Sequence, residues 1–293
     1  MLLMRSSFVI VLFLLAHARG ISQDLLSLLD EEQPAKEYVT NAFKSTRIIN
    51  THSTEFLGAG VLDVRILHRF GLVNGGIRNL YGLDQANMRL GFDYGILKRL
   101  MIGIGRSNVN KELDGFAKYR LLWQAKGDHA SPVSVVVVAG STLHTMPDDP
   151  TRVNFFSSRV TYYGQLLISR KFNENFTLQL TPGVVHYNLV EKVADANDIY
   201  SVGLGGRYKL SKRVAINWDY QYVLPGFLPD GYYNYVGVGF DLETGGHVFQ
   251  LHFANSVGMN ERAFITRTTE QISKMDIRFG FNLSRVFTVA GRK

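Results

Sequence analysis

Residues 214–223 read VAINWDYQYV. Successive side chains of an extended chain point to opposite sides. Val214, Ile216, Trp218, Tyr220 and Tyr222 therefore share one face, and Asn217, Asp219 and Gln221 share the other. One face is greasy and the other is wet. The same split recurs along the chain. Leu62, Val64 and Ile66 oppose Asp63 and Arg65; Met88, Leu90, Phe92 and Tyr94 oppose Arg89 and Asp93; Ala117, Tyr119 and Leu121 oppose Lys118 and Arg120. Farther on, Val160, Tyr162, Leu166 and Ile168 oppose Arg159, Thr161 and Gln165, and Tyr200, Val202, Leu204 and Tyr208 oppose Arg207 and Lys209. Phe249, Leu251 and Phe253 oppose Gln250 and His252, and Met275, Ile277, Phe279, Phe281 and Leu283 oppose Asp276, Arg278 and Asn282.

This period of two predicts twelve strands, over 60–70, 86–94, 99–107, 114–124, 132–142, 155–170, 176–188, 198–210, 213–223, 233–242, 247–256 and 272–284. A soluble sandwich also alternates, so length and the placement of charge decide between the two. The segments run to about ten residues, enough to cross a bilayer at a tilt. Charges sit at mid-strand on one face only, as expected where a Lys or Arg in lipid costs roughly 2–4 kcal/mol. Lipid tolerates no unpaired edge, so the expected fold is an all-β, antiparallel, up-and-down transmembrane barrel.

The connections alternate in the same sense. Short links at 95–98, 171–175, 211–212 and 243–246 predict periplasmic turns, and longer polar links at 71–85, 143–154, 189–197, 224–232 and 257–271 predict outside loops. An even strand count puts both chain ends in the periplasm. The N-terminus carries Arg5, an apolar run from Phe8 to Leu15 and small residues at Ala16 and Ala18, which reads as a secretory signal over 1–18 and is too short to anchor in a bilayer. The expected organisation continues with a periplasmic or lumenal segment at 19–58, the barrel at 59–287 and a tail at 288–293. Within 19–58, residues 25–43 read as a short amphipathic helix interrupted near Pro34, and STRIINTHST follows as an extended piece. The closing FGFNLSRVF resembles the terminal strand that barrel-assembly machinery recognises in bacteria, which makes that machinery an expected partner during biogenesis.

Composition narrows the chemistry. There are no cysteines among 293 residues, which excludes disulfides, thiolate nucleophiles and iron–sulfur clusters. The net charge of +7 is spread along the chain and not gathered into a patch, so nucleic acid is not an expected partner. No zinc-protease helix motif, phosphate-cradling loop or nucleophile elbow occurs, and Gly203, Gly205 and Gly206 do not make a dinucleotide fingerprint. No catalytic, cofactor or metal residue is assigned. His68 reads as interfacial and His252 as lumen-facing.

The functional residues expected are charges turned inward: Arg65, Arg89, Lys118, Arg120, Arg159, Arg207, Lys209 and Arg278 with Asp63, Asp93, Asp219, Asp241 and Asp276. Eight bases face five acids, so an open lumen would favour anions. Equally, these residues pair and fill a narrow interior, since twelve strands enclose little space. Gly103, Gly105, Gly203, Gly205, Gly237 and Gly239 also turn inward by parity and make room for bulky side chains, curvature or an inserted segment.

The stretches FKSTRIINTHSTE (43–55), GVLDVRILHRFG (60–71), NLYGLDQANMRLGFDYGI (79–96), IGIGRSN (102–108) and DGFAKYRLL (114–122) are similar to those of a family of outer-membrane β-barrels of unknown function from Bacteroidota. That resemblance implies a membrane-bound barrel in a bacterial outer membrane, in contact with its lipid, and assigns no catalytic or ligand residue. The expected function is a passive channel for small, weakly anion-preferring solutes. The alternatives are a lipid hydrolase, which needs a Ser beside His186 where Ser201 turns inward, and a structural or docking barrel that does not conduct.

Overall fold

The computed structural model describes residues 35–147, 155–244 and 247–290. The signal sequence expected at 1–18 and the helix expected in 25–43, up to residue 34, lie outside the described residues. Twelve strands form one closed antiparallel barrel: β1 (Val61–Leu72), β2 (Ala86–Leu97), β3 (Leu100–Ser107), β4 (Glu112–Leu122), β5 (Ser134–His144), β6 (Val160–Lys171), β7 (Phe176–Tyr187), β8 (Asp198–Lys209), β9 (Val214–Val223), β10 (Tyr235–Thr244), β11 (His247–Ala254) and β12 (Arg278–Thr288). Each pairs with its sequence neighbour, and β12 closes on β1 with Leu283 opposite Ile66. The strand count and topology are those read from the alternation.

The decisive stretch sits as its pattern demands. On β9, Ala215, Asn217, Asp219 and Gln221 are buried inside the barrel, and Tyr220 and Tyr222 are exposed on its outer wall. Outward aromatics pack along the closing seam, where His68 stacks on Phe281 at 4.9 Å and Phe70 on Phe279 at 5.6 Å. Such pairs add about 0.5–1.5 kcal/mol each beyond area burial, so the seam is stabilised on its lipid side as well as by its ladder.

Most other strand bounds shift by up to three residues, and three departures have a visible local cause. The last strand runs 278–288 instead of 272–284, because Met275 adopts φ 58° and Ile272–Lys274 forms a 3-10 turn. Asp276 accepts from the Gln271 amide and the Asn74 side chain, so this piece folds as loop although its apolar residues alternate. Strand β6 begins at Val160 because Phe156–Arg159 is a 3-10 turn. The link after β4, 123–133, is long although it lies at the short-turn end of the barrel. There Ala125–Lys126 pairs with Glu37–Tyr38, and Trp123 donates to the Val39 carbonyl at 2.7 Å. Chain from the N-terminal segment is thereby fastened to that mouth.

Candidate functional site: a lumen filled by an N-terminal hairpin

Residues 43–57 run up inside the barrel and return. The Ile48 amide donates to Thr51 O and the Ser53 amide to Thr46 O, so 46–53 is a hairpin whose tip is Ile48–Thr51. Residues Arg47 to Thr54 are all buried. A strand of this polarity standing alone in water gains nothing by folding; it is ordered here because the inner wall answers nearly every polar group it carries.

The tip is held by Asp219, which accepts from the amides of Asn50 (3.0 Å) and Thr51 (2.8 Å) and from the Thr51 hydroxyl (2.7 Å). Around it, Gln250 donates to Ile48 O at 2.7 Å, Asn282 to Ile49 O at 3.0 Å, and Gln221 to the Thr51 hydroxyl at 2.7 Å. Arg69 bridges the Asn50 and Asn282 side chains at 2.6 and 2.9 Å. Lower down, Arg65 donates to the hydroxyls of Ser45 and Thr46, Lys118 to Glu55 O at 2.6 Å, and Arg120 to Thr54 O at 3.1 Å. Thr54 and Ser169 share a hydrogen bond of 2.5 Å.

The glycines explain how the tip fits. A Cβ on Gly205 would stand 2.3 Å from Ile48 Cδ1, and one on Gly237 would stand 3.3 Å from Ile49 Cδ1 and 2.6 Å from the Tyr235 hydroxyl. These two positions receive the inserted segment. Others serve the wall itself: Gly105 receives the Arg89 guanidinium, Gly103 the Phe116 ring, Gly203 the Gln221 amide, and Gly239 and Gly280 flank buried His252.

From the opposite mouth, the loop between β11 and β12 descends to meet the hairpin. It carries a single helical turn, α1 (Glu261–Thr266), whose N-cap Asn260 accepts from the Ala263 amide. Arg47 Nη1 lies 2.7 Å from Glu261 Oε1, and His52 Nε2 lies 3.2 Å from the same oxygen. Asn50 donates to Gly258 O at 3.1 Å. Glu112 on the wall takes Asn260 and Arg262 at 2.6 and 2.5 Å, and Phe264 packs against Tyr235. Hydrogen bonds thus run without a break from one mouth of the barrel to the other. Burial lowers the pKa of His52 well below the ordinary value, and the charges of Arg47 and Lys118 lower it further.

The charges expected to line the lumen are distributed unevenly. Arg65, Arg89, Lys118, Arg120, Arg207, Asp63, Asp93, Asp219 and Asp241 are buried inside the barrel. Lys209 is half-buried near the short-turn mouth. Arg159, Arg278 and Asp276 lie at or beyond the long-loop rim and not at mid-wall. Arg159 donates to the carbonyls of His144 and Met146, and Arg278 pairs with Glu270 at 2.5 Å. The sequence reading missed Arg47, Arg69, Glu112, Asp114, Glu261 and Glu270, all buried. Arg69 and Asp114 had a signal, since each continues the inward parity of its strand; Glu261 in a long loop had none. With them included, the buried charges among the described residues are seven bases (Arg47, Arg65, Arg69, Arg89, Lys118, Arg120, Arg207) and eight acids (Asp63, Asp93, Glu112, Asp114, Asp219, Asp241, Glu261, Glu270). Half-buried Arg262 and Arg278 pair with Glu112 and Glu270, and half-buried Lys209 lies nearer the mouth, so bases and acids stand close to balance inside the barrel.

On the outer wall, His186 Nδ1 lies 2.8 Å from Asp198 Oδ1 and the ring stacks on Tyr162. Ser201 is buried on the inner face of β8, so the pairing a hydrolase would need is not formed there.

No curated protein sequence matches this chain. Among solved structures it is similar to the NanC porin, at 8% identity over 77% of this chain and 98% of that one, with a TM-score of 0.49. It is similar also to OmpF of Salmonella typhi in complex with daunomycin, at 10% identity over 78% and 97%, with a TM-score of 0.38. Residues 43–287 match the model of the family described as a membrane bound beta barrel domain, DUF5777, and the chain belongs to that family.

Proposed function

We propose that this protein is a gated channel of the outer membrane, closed by its own residues 43–57. The observation that carries this reading is the seat of the hairpin, in which Asp219 caps the tip and Gly205 leaves space for Ile48. In this reading the short turns and the chain leading into the hairpin lie in the periplasm, and the long loops lie outside. The free passage first expected gives way to an occluded lumen, and small solutes pass only when the hairpin swings out. Among the described residues the strands bury six bases (Arg65, Arg69, Arg89, Lys118, Arg120, Arg207) and six acids (Asp63, Asp93, Glu112, Asp114, Asp219, Asp241), which supports little preference between anions and cations once the wall is bared.

A cross-link tests this. With no native cysteines, Thr54→Cys with Ser169→Cys joins the hairpin to β6 where the two hydroxyls already touch. In planar bilayers, a variant lacking 43–57 conducts steadily, and the reduced double-cysteine protein opens in bursts that vanish on oxidation. A folded hairpin-deletion variant that passes no current would sink the channel reading. It would favour instead a structural barrel, for which the continuous hydrogen bonding between the two mouths is the supporting observation.

A further inference from the structure

The outer wall from β2 to β5 holds an apolar groove that gating does not use. It has a volume of about 490 Å³ and is walled by Leu90, Phe92, Ile104, Leu113 and Leu143, with Gly115 and Ser141 in its floor. Gly115 pairs with Ser141 in register, and next to them Ala117 pairs with Ala139, which pairs in turn with Gly164.

Gly115 has no need to be glycine. A Cβ there would meet nothing nearer than 3.6 Å, and one on Gly164 nothing nearer than 4.0 Å, whereas a Cβ on inward Gly103 or Gly105 would collide within 2.5 Å. The thin outer wall is therefore not explained by packing inside the protein. It lies in the half of the barrel nearest the long loops, since Leu113 and Leu143 are next to the strand ends at Glu112 and His144.

Charge points to the occupant. Arg106, exposed one residue before the end of β3, lines the groove, and exposed Lys111 follows in the short turn 108–111, whose carbonyl accepts from Thr145. Among the described residues the outward positions of β2 to β6 carry no carboxylate, and Asp114, which also lines the groove, is buried with its carboxylate on Arg89. A second copy docked by a twofold axis through the groove would set Arg106 near its own counterpart, with no outward carboxylate among the described residues of β2 to β6 to neutralise either.

We propose that the groove holds an acyl chain of a phosphorylated glycolipid of the outer leaflet, whose phosphate is bound by Arg106 and Lys111. A cation at the headgroup level above an apolar slot matches the two parts of such a lipid, since guanidinium pairs phosphate bidentately and the slot removes methylenes from a disordered chain environment. The inference rests on the orientation given above, in which the long loops face outward.

The test is native mass spectrometry of the purified full-length protein in detergent, titrated with bisphosphorylated lipid A, its dephosphorylated form, or phosphatidylethanolamine. The expected result is one lipid A adduct, weakened about tenfold by Arg106→Gln or by Gly115→Leu and unchanged by Val238→Leu on the far wall. Equal binding of the three lipids, insensitivity to both groove variants, or a groove-dependent dimer in place of the adduct would each overturn it. Orientation is checked apart: Lys111→Cys in intact cells reacts with an impermeant maleimide if the turn is outside. Absence of labelling removes the outward-facing reading itself, while labelling without lipid selectivity removes only the lipid site.

Discussion

Arg47, which rises into the barrel from one mouth, and Glu261, which descends from the other, meet at 2.7 Å with side chains 1% and 0% exposed. Two charges so fully withdrawn from water stabilise the structure only as a pair, and loss of one partner leaves the other stranded at a cost of about 3–5 kcal/mol. Glu261→Gln keeps the shape and removes the charge. The variant is expected to open frequently in planar bilayers and to unfold at lower temperature, whereas Arg47→Met with Glu261→Leu restores closure. Single-channel recording of the three proteins checks this.

Asp219 receives three donors from the hairpin tip. In Asp219→Asn, an amide group replaces one acceptor oxygen and faces those donors, which is expected to weaken the seat by about 2 kcal/mol. The barrel strands themselves are untouched. Hydrogen exchange should therefore quicken at the Asn50 and Thr51 amides with little change on β9, and equal quickening throughout β9 would mean that the barrel, not the seat, had been damaged.

Gly205 leaves the space that Ile48 fills. Gly205→Val is expected to displace the tip and raise conductance, and adding Ile48→Ala should recover closure, because overpacking costs about 1–3 kcal/mol and is relieved by deleting the opposing methyl groups. Failure of the second substitution to rescue the first would place the effect in the β8 backbone.

His52 supplies a pH dependence. It lies on the hairpin against Arg47 and Glu261, each 3.2 Å from Nε2, and its pKa in the seated state is lowered by burial and then by the charges of Arg47, Lys118, Arg89 and Arg65. Released into water it regains an ordinary value of about 6.5. Above that pH both states hold a neutral ring and the seat is at full strength. Below it the released state binds a proton that the seated state refuses, so the seat weakens as pH falls, by at most about 1.4 kcal/mol per unit. Opening frequency should rise between pH 7.5 and 5.5 in the wild type and stay flat in His52→Gln.

The barrel was legible in the sequence because lipid enforces a rule on every strand: residues such as Trp218 and Tyr220 face hydrocarbon, while Asn217 and Asp219 must turn away from it. The hairpin obeys no such rule. Ser45, Thr46, Asn50, Thr51, Ser53 and Thr54 have the composition of a solvated loop, and only the facing wall reveals that they are buried. Parity carried Asp219 to the interior correctly, yet pore lining and plug binding ask for the same residue types. Glu261 was hidden for a different reason, since a carboxylate in a long loop is ordinarily in water. The inward glycines gave a partial signal, because Gly205 and Gly237 answer to Ile48 and Ile49, residues far away in the chain.

Both ends of the hairpin are fastened at the same mouth. On one side Val39 is bonded to Trp123 and Gln124; on the other only Gly58, Ala59 and Gly60 separate Leu57 from the start of β1. A hairpin that swings out on this double leash stays within a few nanometres of its socket, at an effective concentration in the millimolar range. Reclosure is then a unimolecular event that needs no second molecule and no refolding of the wall, and it should be as fast in a dilute vesicle suspension as in a crowded envelope.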